Sequence, residues 1–276
     1  MDKRAKNLLR AWQLSDAVPL ARTDTGLILR VKCEDGTLAV LKCLTELGRL
    51  EEGTAPAVLK AFNGSGAVDL LKADENGHLI EYCDGPKLLN SKGGHQDDVA
   101  MPVLIDVIRR LRSVVTGKPF GIPTLAERCE AIDRVVHLVD SNTASRFRSA
   151  RAIADKLLSD QVPALLHGDM HHENVLNSHR SGQSVWLAID PQGIWGDPAY
   201  EVANLFGNPL NNPEVTLESS RPMRLSTMLQ EHLGLPRYRI LGWAYVHSCI
   251  SAAWSIEDGL DPSYRLCIAD HITSAL

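Results

Sequence analysis

The chain has 276 residues, 44% of them hydrophobic and 23% charged, which is enough to bury one large core or two modest ones and too apolar for a disordered polymer. Its 29 basic and 34 acidic residues leave a net charge of −5, and no long basic run marks a nucleic-acid footprint. A neutral or cationic small molecule is the expected partner.

From Ala17 to Cys43 the pattern predicts three short strands, because Ile28, Val31, Val40 and Leu41 flank two turn signals, Thr23-Asp24-Thr25-Gly26 and Glu34-Asp35-Gly36. One helix is expected over residues 46–62, although Gly48, Gly53 and Pro56 interrupt it. Two further strands are expected over residues 67–72 and 78–83. Asp84-Gly85-Pro86 then breaks the pattern, and the chain turns from strand-rich to helix-rich. A lobe boundary is placed there, giving an N-lobe of residues 1–84 and a C-lobe of residues 85–276. Val99, Val103, Leu104, Val107, Ile108, Leu111 and Val115 recur at three- and four-residue steps, the spacing of one buried helix face. Helices follow over residues 125–139 and 143–158, a strand over 164–167, another over 185–189, and a mostly helical tail from about residue 221. In that tail Trp243, Val246, Ile250 and Trp254 share a face. The fold class is therefore α+β, an antiparallel N-lobe sheet with a helix joined to a mainly helical C-lobe. Six cysteines (Cys33, Cys43, Cys83, Cys129, Cys249, Cys267) stand apart without a C-x-x-C pair, as in the reduced thiols of a cytoplasmic protein. The first residues carry no apolar leader core and no stretch is long enough to span a bilayer, so neither export nor a membrane partner is expected.

The segment that carries chemistry is His167-Gly168-Asp169-Met170-His171-His172-Glu173-Asn174, followed by Ile189-Asp190-Pro191. An Asp and an Asn five residues apart, with a second Asp after a short strand, match the catalytic loop of kinases except that Gly168 replaces the arginine. Phosphoryl transfer needs an acceptor hydroxyl held in line and cations on the phosphate oxygens. Asp169 is suited to orient and deprotonate the hydroxyl. Asn174 and Asp190 offer hard oxygen ligands for Mg²⁺. For Asp190 taken singly, the plainer reading is a turn-initiating Asp-Pro. His167, His171, His172 and His179 suggest a zinc cluster, but Gly168 and the strand-like flanks argue against the helix face such a cluster needs. They are read as loop scaffolding, with His171 near the substrate.

Upstream, Ala39-Val40-Leu41-Lys42 is similar to the kinase strand whose lysine grips the α/β-phosphates. Its carboxylate partner is expected from the next helix, with Glu52 the first choice, then Glu51, then Glu46. Glu81 to Cys83 ends the last N-lobe strand where kinase-like folds offer backbone groups to adenine. The Thr23–Leu27 turn has one glycine and no G-x-G-x-x-G, and there is no Walker A sequence.

On these residues, together with Gly196-Asp197-Pro198 to Phe206, Asn63-Gly-Ser-Gly-Ala-Val68 and Ser251-Ala-Ala-Trp254, the chain resembles the aminoglycoside phosphotransferase family over nearly its whole length. It resembles in particular the branch of streptomycin 6-phosphotransferases and aminoglycoside/hydroxyurea resistance kinases. The resemblance implies a two-lobed protein-kinase-like fold with Asp169 as base, Asn174 and Asp190 on Mg²⁺, and Lys42 on the triphosphate of ATP, with GTP still open. It also implies a hydroxyl of a streptomycin-like aminoglycoside as acceptor. Asp197, Glu201, Glu257, Asp258 and Asp261 are candidates for an acidic rim that attracts such a cation, although for most of them an ordinary surface carboxylate is the plainer reading. Trp254 is a candidate wall of the acceptor pocket or a core residue. Two other functions stay open, a metabolic kinase for another hydroxylated molecule and a non-catalytic nucleotide-binding protein. A monomer or weak dimer is expected.

Overall fold

The computed structural model describes residues 3–114, 117–210 and 212–276. Helix α1 (Lys3–Ala11) precedes a five-stranded antiparallel sheet of β1 (Ser15–Arg22), β2 (Gly26–Lys32), β3 (Leu38–Leu44), β4 (Leu70–Asp74) and β5 (Gly77–Glu81), ordered β1-β2-β3-β5-β4. Register decides what each face does, because strand side chains alternate. Leu27, Leu29 and Val31 pair with Cys43, Leu41 and Ala39, and this face packs against Ala5 and Leu8 of α1. The other face carries Val40 opposite Ile80 and Lys42 opposite His78. Lys42 thus points away from the α1 core and stays buried beneath the sheet. Pro19 lies in β1, an edge strand, where its missing N–H costs no ladder bond.

The single helix expected over residues 46–62 is two, α2 (Glu46–Glu51) and α3 (Ala55–Phe62). Thr45 caps α2 by accepting from Gly48 N–H at 3.1 Å. Pro56, in the first turn of α3, has no N–H for the Glu52 carbonyl and its ring would crowd that group in a continuous helix, so the chain turns at residues 52–54 and restarts. Gly48 is required by contact: a Cβ there would lie 1.9 Å from the Thr25 carbonyl oxygen. After α3 the chain runs beside later strands, with Val68 N–H donating to Ala188 O and Ala188 N–H to Gly66 O. The linker is held the same way, by Gly85 N–H on Asn177 O and Asn177 N–H on Pro86 O.

Beyond it stand α4 (Asp97–Arg112), α5 (Leu125–Val135) and α6 (Ser141–Ser159). Of the α4 stripe, Leu104, Val107, Ile108 and Leu111 are buried, whereas Val99 is exposed and Val115 lies outside the described residues. Strand β6 (Ala164–Leu166) pairs with β9 (Ile194–Gly196), and between them β7 (Val175–Arg180) and β8 (Gln183–Ala188) form a hairpin about Ser181-Gly182, both at positive φ. Sequence patterning found β6 and most of β8 but neither β7 nor β9. A 3₁₀ segment (Pro198–Gly207), the short α7 (Pro213–Thr216), α8 (Arg221–Leu233), α9 (Arg237–Glu257) and α10 (Ser263–Thr273) complete the chain. Helix α9 is buried on nearly every side, so its apolar face is the whole cylinder rather than the Trp243–Trp254 stripe alone. Among the described residues the six cysteines form no disulfide. Among the described residues no helix is long and apolar enough to cross a membrane.

Candidate active site

Two groups of side chains meet where the sheet faces the helical region. In the first, Lys42 Nζ lies 2.5 Å from Glu52 Oε2 and 2.8 Å from Asp190 Oδ1. Burial works to lower the ammonium pKa, and the Asp190 and Glu52 carboxylates more than offset it, leaving the group above its usual value and firmly charged. Glu52 is thus the partner among the three glutamates considered. Glu51 faces a neighbouring cavity and Glu46 reaches Arg49.

The second group surrounds Asp169. Asn174 Nδ2 donates to Asp169 O and Oδ2 at 2.9 and 3.0 Å, Asn204 Nδ2 donates to Oδ1 at 2.9 Å, and His171 Nε2 stands 3.6 Å from Oδ2. Burial pushes the Asp169 carboxyl up, but His171, His167 and His247 outweigh it and hold the pKa below the ordinary aspartate value. The loop is fixed from behind. Gly168 has φ +81°, and a Cβ there would lie 2.9 Å from Ile194 Cγ1, so the residue at this turn must be glycine. His167 Nε2–H donates to Ile189 O at 2.9 Å while Nδ1 accepts from Asp169 N–H at 3.3 Å, a tautomer assigned from its two partners. Ile189 N–H donates to Asn174 O, which joins the residue before Asp190 to the Asn174 backbone. The two groups are therefore one site.

The donors present fit a hard divalent cation. The Asn174 amide nitrogen is engaged by Asp169, leaving Oδ1 free to ligate, and Asp190 uses Oδ1 on Lys42, leaving Oδ2. Among the described residues no three His, Cys, Asp or Glu side chains cluster as a self-sufficient metal site. The four histidines diverge instead: His167 bonds the loop, His171 faces Asp169, His179 pairs with Asp84, and His172 is buried with neither ring nitrogen bonded.

The family model described as aminoglycoside/hydroxyurea antibiotic resistance kinase matches residues 11–259. The chain belongs to this family. It is 34% identical over 257 residues to the streptomycin 6-kinase of Streptomyces griseus, covering 90% of this chain and 81% of that one. To the hydroxyurea phosphotransferase of Kitasatospora aureofaciens it is 29% identical over 263 residues, 93% and 73% of the two chains. A thermostable aminoglycoside phosphotransferase, solved as a ternary complex with ADP and hygromycin B, shares its fold with a TM-score of 0.69 at 17% identity, over 98% of this chain and 97% of that one. The fold of this resistance-kinase chain is accordingly kinase-like.

At Gln192 and Gly193, just after Asp190 in the chain, opens a cavity of about 740 Å³, lined also by Leu50, Glu51, Thr54, Arg128, Trp254 and Asp258. Here the expected acidic rim needs correcting. Asp197 is buried and accepts from Arg239 and from Trp243 Nε1 at 2.6 Å, so it is an internal brace. Glu201 is also buried and accepts from the backbone N–H groups of His167 at 2.7 Å and Gly168 at 3.3 Å, supporting the loop rather than meeting solvent. Burial raises its carboxyl pKa to about 7. Asp261 lies off the cavity and caps Ser263. Glu257 and Asp258 do line it, Glu257 already paired with Arg134, and Trp254 forms part of the wall. Glu81 ends β5 with its carboxylate on Arg180, and the following Cys83 N–H has no hydrogen-bond partner among the described residues. Sequence reasoning missed Asn204, His247 and Arg128. Their roles depend on partners 35 to 43 residues away, and no local spacing signals them.

Proposed function

We propose that this resistance-family kinase transfers the γ-phosphoryl group of Mg-ATP to a hydroxyl of a streptomycin-like aminoglycoside. One observation carries the reading: Lys42 is paired with Asp190 and Glu52, and the Ile189 N–H bond to the Asn174 carbonyl ties this group to Asp169, whose two carboxylate oxygens are oriented by Asn174 and Asn204. Residues 1–84 then act as the nucleotide lobe and residues 85–276 as the acceptor lobe. In this reading the backbone at Glu81 to Cys83 meets the purine, and Lys42 grips the phosphates. Asn174 and Asp190 would hold Mg²⁺, which when bound neutralises charge on the phosphate oxygens. Asp169 aligns the acceptor hydroxyl and takes its proton as the bond to phosphorus forms, and the nucleoside diphosphate leaves from the opposite side.

The acceptor is read from the cavity. Its volume of about 740 Å³ falls among drug-sized ligand sites and far exceeds the need of hydroxyurea. Glu51 and Asp258 in its lining suit guanidinium or ammonium groups, and Trp254 adds aromatic surface for a sugar. Such a kinase draws on a nucleotide-rich compartment, in keeping with the cytoplasm. The test is ADP release by the purified chain with Mg-ATP and streptomycin, other aminoglycosides or hydroxyurea, with the product identified by mass and the position by NMR. Streptomycin-dependent release with a monophosphorylated product is expected. Release that depends on none of these acceptors would remove the reading.

A further inference from the structure

We infer that Arg128 is a positioning residue for Asp169 and ties the placement of that carboxylate to the wall of the acceptor cavity; the inference rests on the role given to Asp169 above. Arg128 lies in the first turn of α5, whose start is fixed by Thr124 and Glu127 capping each other. Its Nη1 donates to the carbonyl of Gly168 at 2.9 Å, the peptide that leads into Asp169, and its Nη2 donates to Gln192 Oε1, two residues beyond Asp190. The guanidinium also stands over the rings of Trp254 and Tyr200, 5.1 and 5.9 Å from their centroids. Glu257 and Asp258 line the same cavity, yet among the described residues no carboxylate forms an ion pair with Arg128. Its rigid fork joins the Gly168 backbone carbonyl to the Gln192 side-chain amide, which is a geometric use of the charge.

Gly168 is therefore held through both of its flanking peptides, its N–H donating to Glu201 and its C=O accepting from Arg128. Gln192 is itself held, because its carbonyl accepts from Thr54 Oγ1 at 2.7 Å. A continuous belt runs Thr54, Gln192, Arg128, Gly168 along the cavity wall and ends one residue from Asp169. An acceptor that packs on Trp254 or bonds Gln192 presses on the same guanidinium that sets the base. Filling the cavity and aligning Asp169 become one event.

The experiment compares wild type, Arg128→Met and Arg128→Lys in the full chain by hydrogen exchange of peptides covering residues 165–174, by nucleotide affinity, and by steady-state turnover. Arg128→Met is expected to speed exchange in that loop selectively and to lower kcat about 10- to 100-fold, the scale of a displaced reacting group, with nucleotide affinity within about twofold. Arg128→Lys is expected to recover part of both, since one ammonium reaches Gly168 but cannot also fork to Gln192. Unchanged loop exchange, faster exchange throughout the chain, or a rise in acceptor KM alone would each overturn the inference. If wild type phosphorylates no acceptor, the functional reading fails, and the exchange comparison still decides the role of Arg128.

Discussion

At the scale of single residues, the site separates holding the triphosphate from activating the acceptor. Asp190 is bound to Lys42, whereas Asp169 is bound by two asparagine amides and makes no bond to the lysine. Asp169→Asn is expected to lower kcat by roughly 10²–10⁴, the usual worth of a positioned acid–base group, with little change in nucleotide affinity. Asp190→Ala is expected instead to abolish productive nucleotide binding, because it removes a metal ligand and one of the two carboxylates on Lys42. Single-turnover assays with nucleotide titration distinguish them, and near-normal rates in both variants would place the chemistry elsewhere. Asp190 also holds φ +56°, a left-handed conformation that aspartate tolerates better than most residues, which re-aims its side chain just past the end of β8.

Elements position these groups through their ends. Helix α2 stops at Glu51 because the chain must turn before Pro56, and that turn sends Glu52 to Lys42 while Glu51 faces the cavity. Helix α5 works from its first turn, where the reciprocal Thr124 and Glu127 bonds fix the start of the helix that carries Arg128. Thr124→Ala is expected to cost about 1 kcal/mol in thermal or denaturant unfolding, the ordinary worth of such a cap, and to reduce turnover through Arg128. If melting were unchanged, the cap would be redundant with the packing of Leu125 and Cys129.

For the whole molecule, buried histidines set the response to acid. Burial holds His78, His167 and His172 neutral with pKa values of about 4, and His247 at about 3, against an ordinary 6.5. The unfolded chain binds these protons more readily, so stability falls as pH drops from about 6.5 towards 4. Glu201 acts the other way, because its folded value of about 7 exceeds the ordinary 4.5 and its contribution improves as pH falls through that window. Four groups oppose one. Melting temperature is expected to fall between pH 7 and pH 4, and a rise over that interval would mean that the Glu201 carboxyl dominates.

The sequence by itself determined the α+β order of strands then helices, the Asp169-to-Asn174 spacing, and the strand that carries Lys42. Each is written in neighbouring residues, since backbone periodicity and tight turns act over a few positions. The split between α2 and α3 is signalled by Gly53 and Pro56. Strands β7 and β9 escaped because Asn177, Ser178 and His179 look like loop, and because a three-residue strand has too few positions to show a period. Only the tertiary structure decided that Glu201 and Asp197 are internal supports while Glu51 and Asp258 face the cavity. A carboxylate's environment depends on which distant backbone folds over it, and charge patterns along a chain carry no record of that.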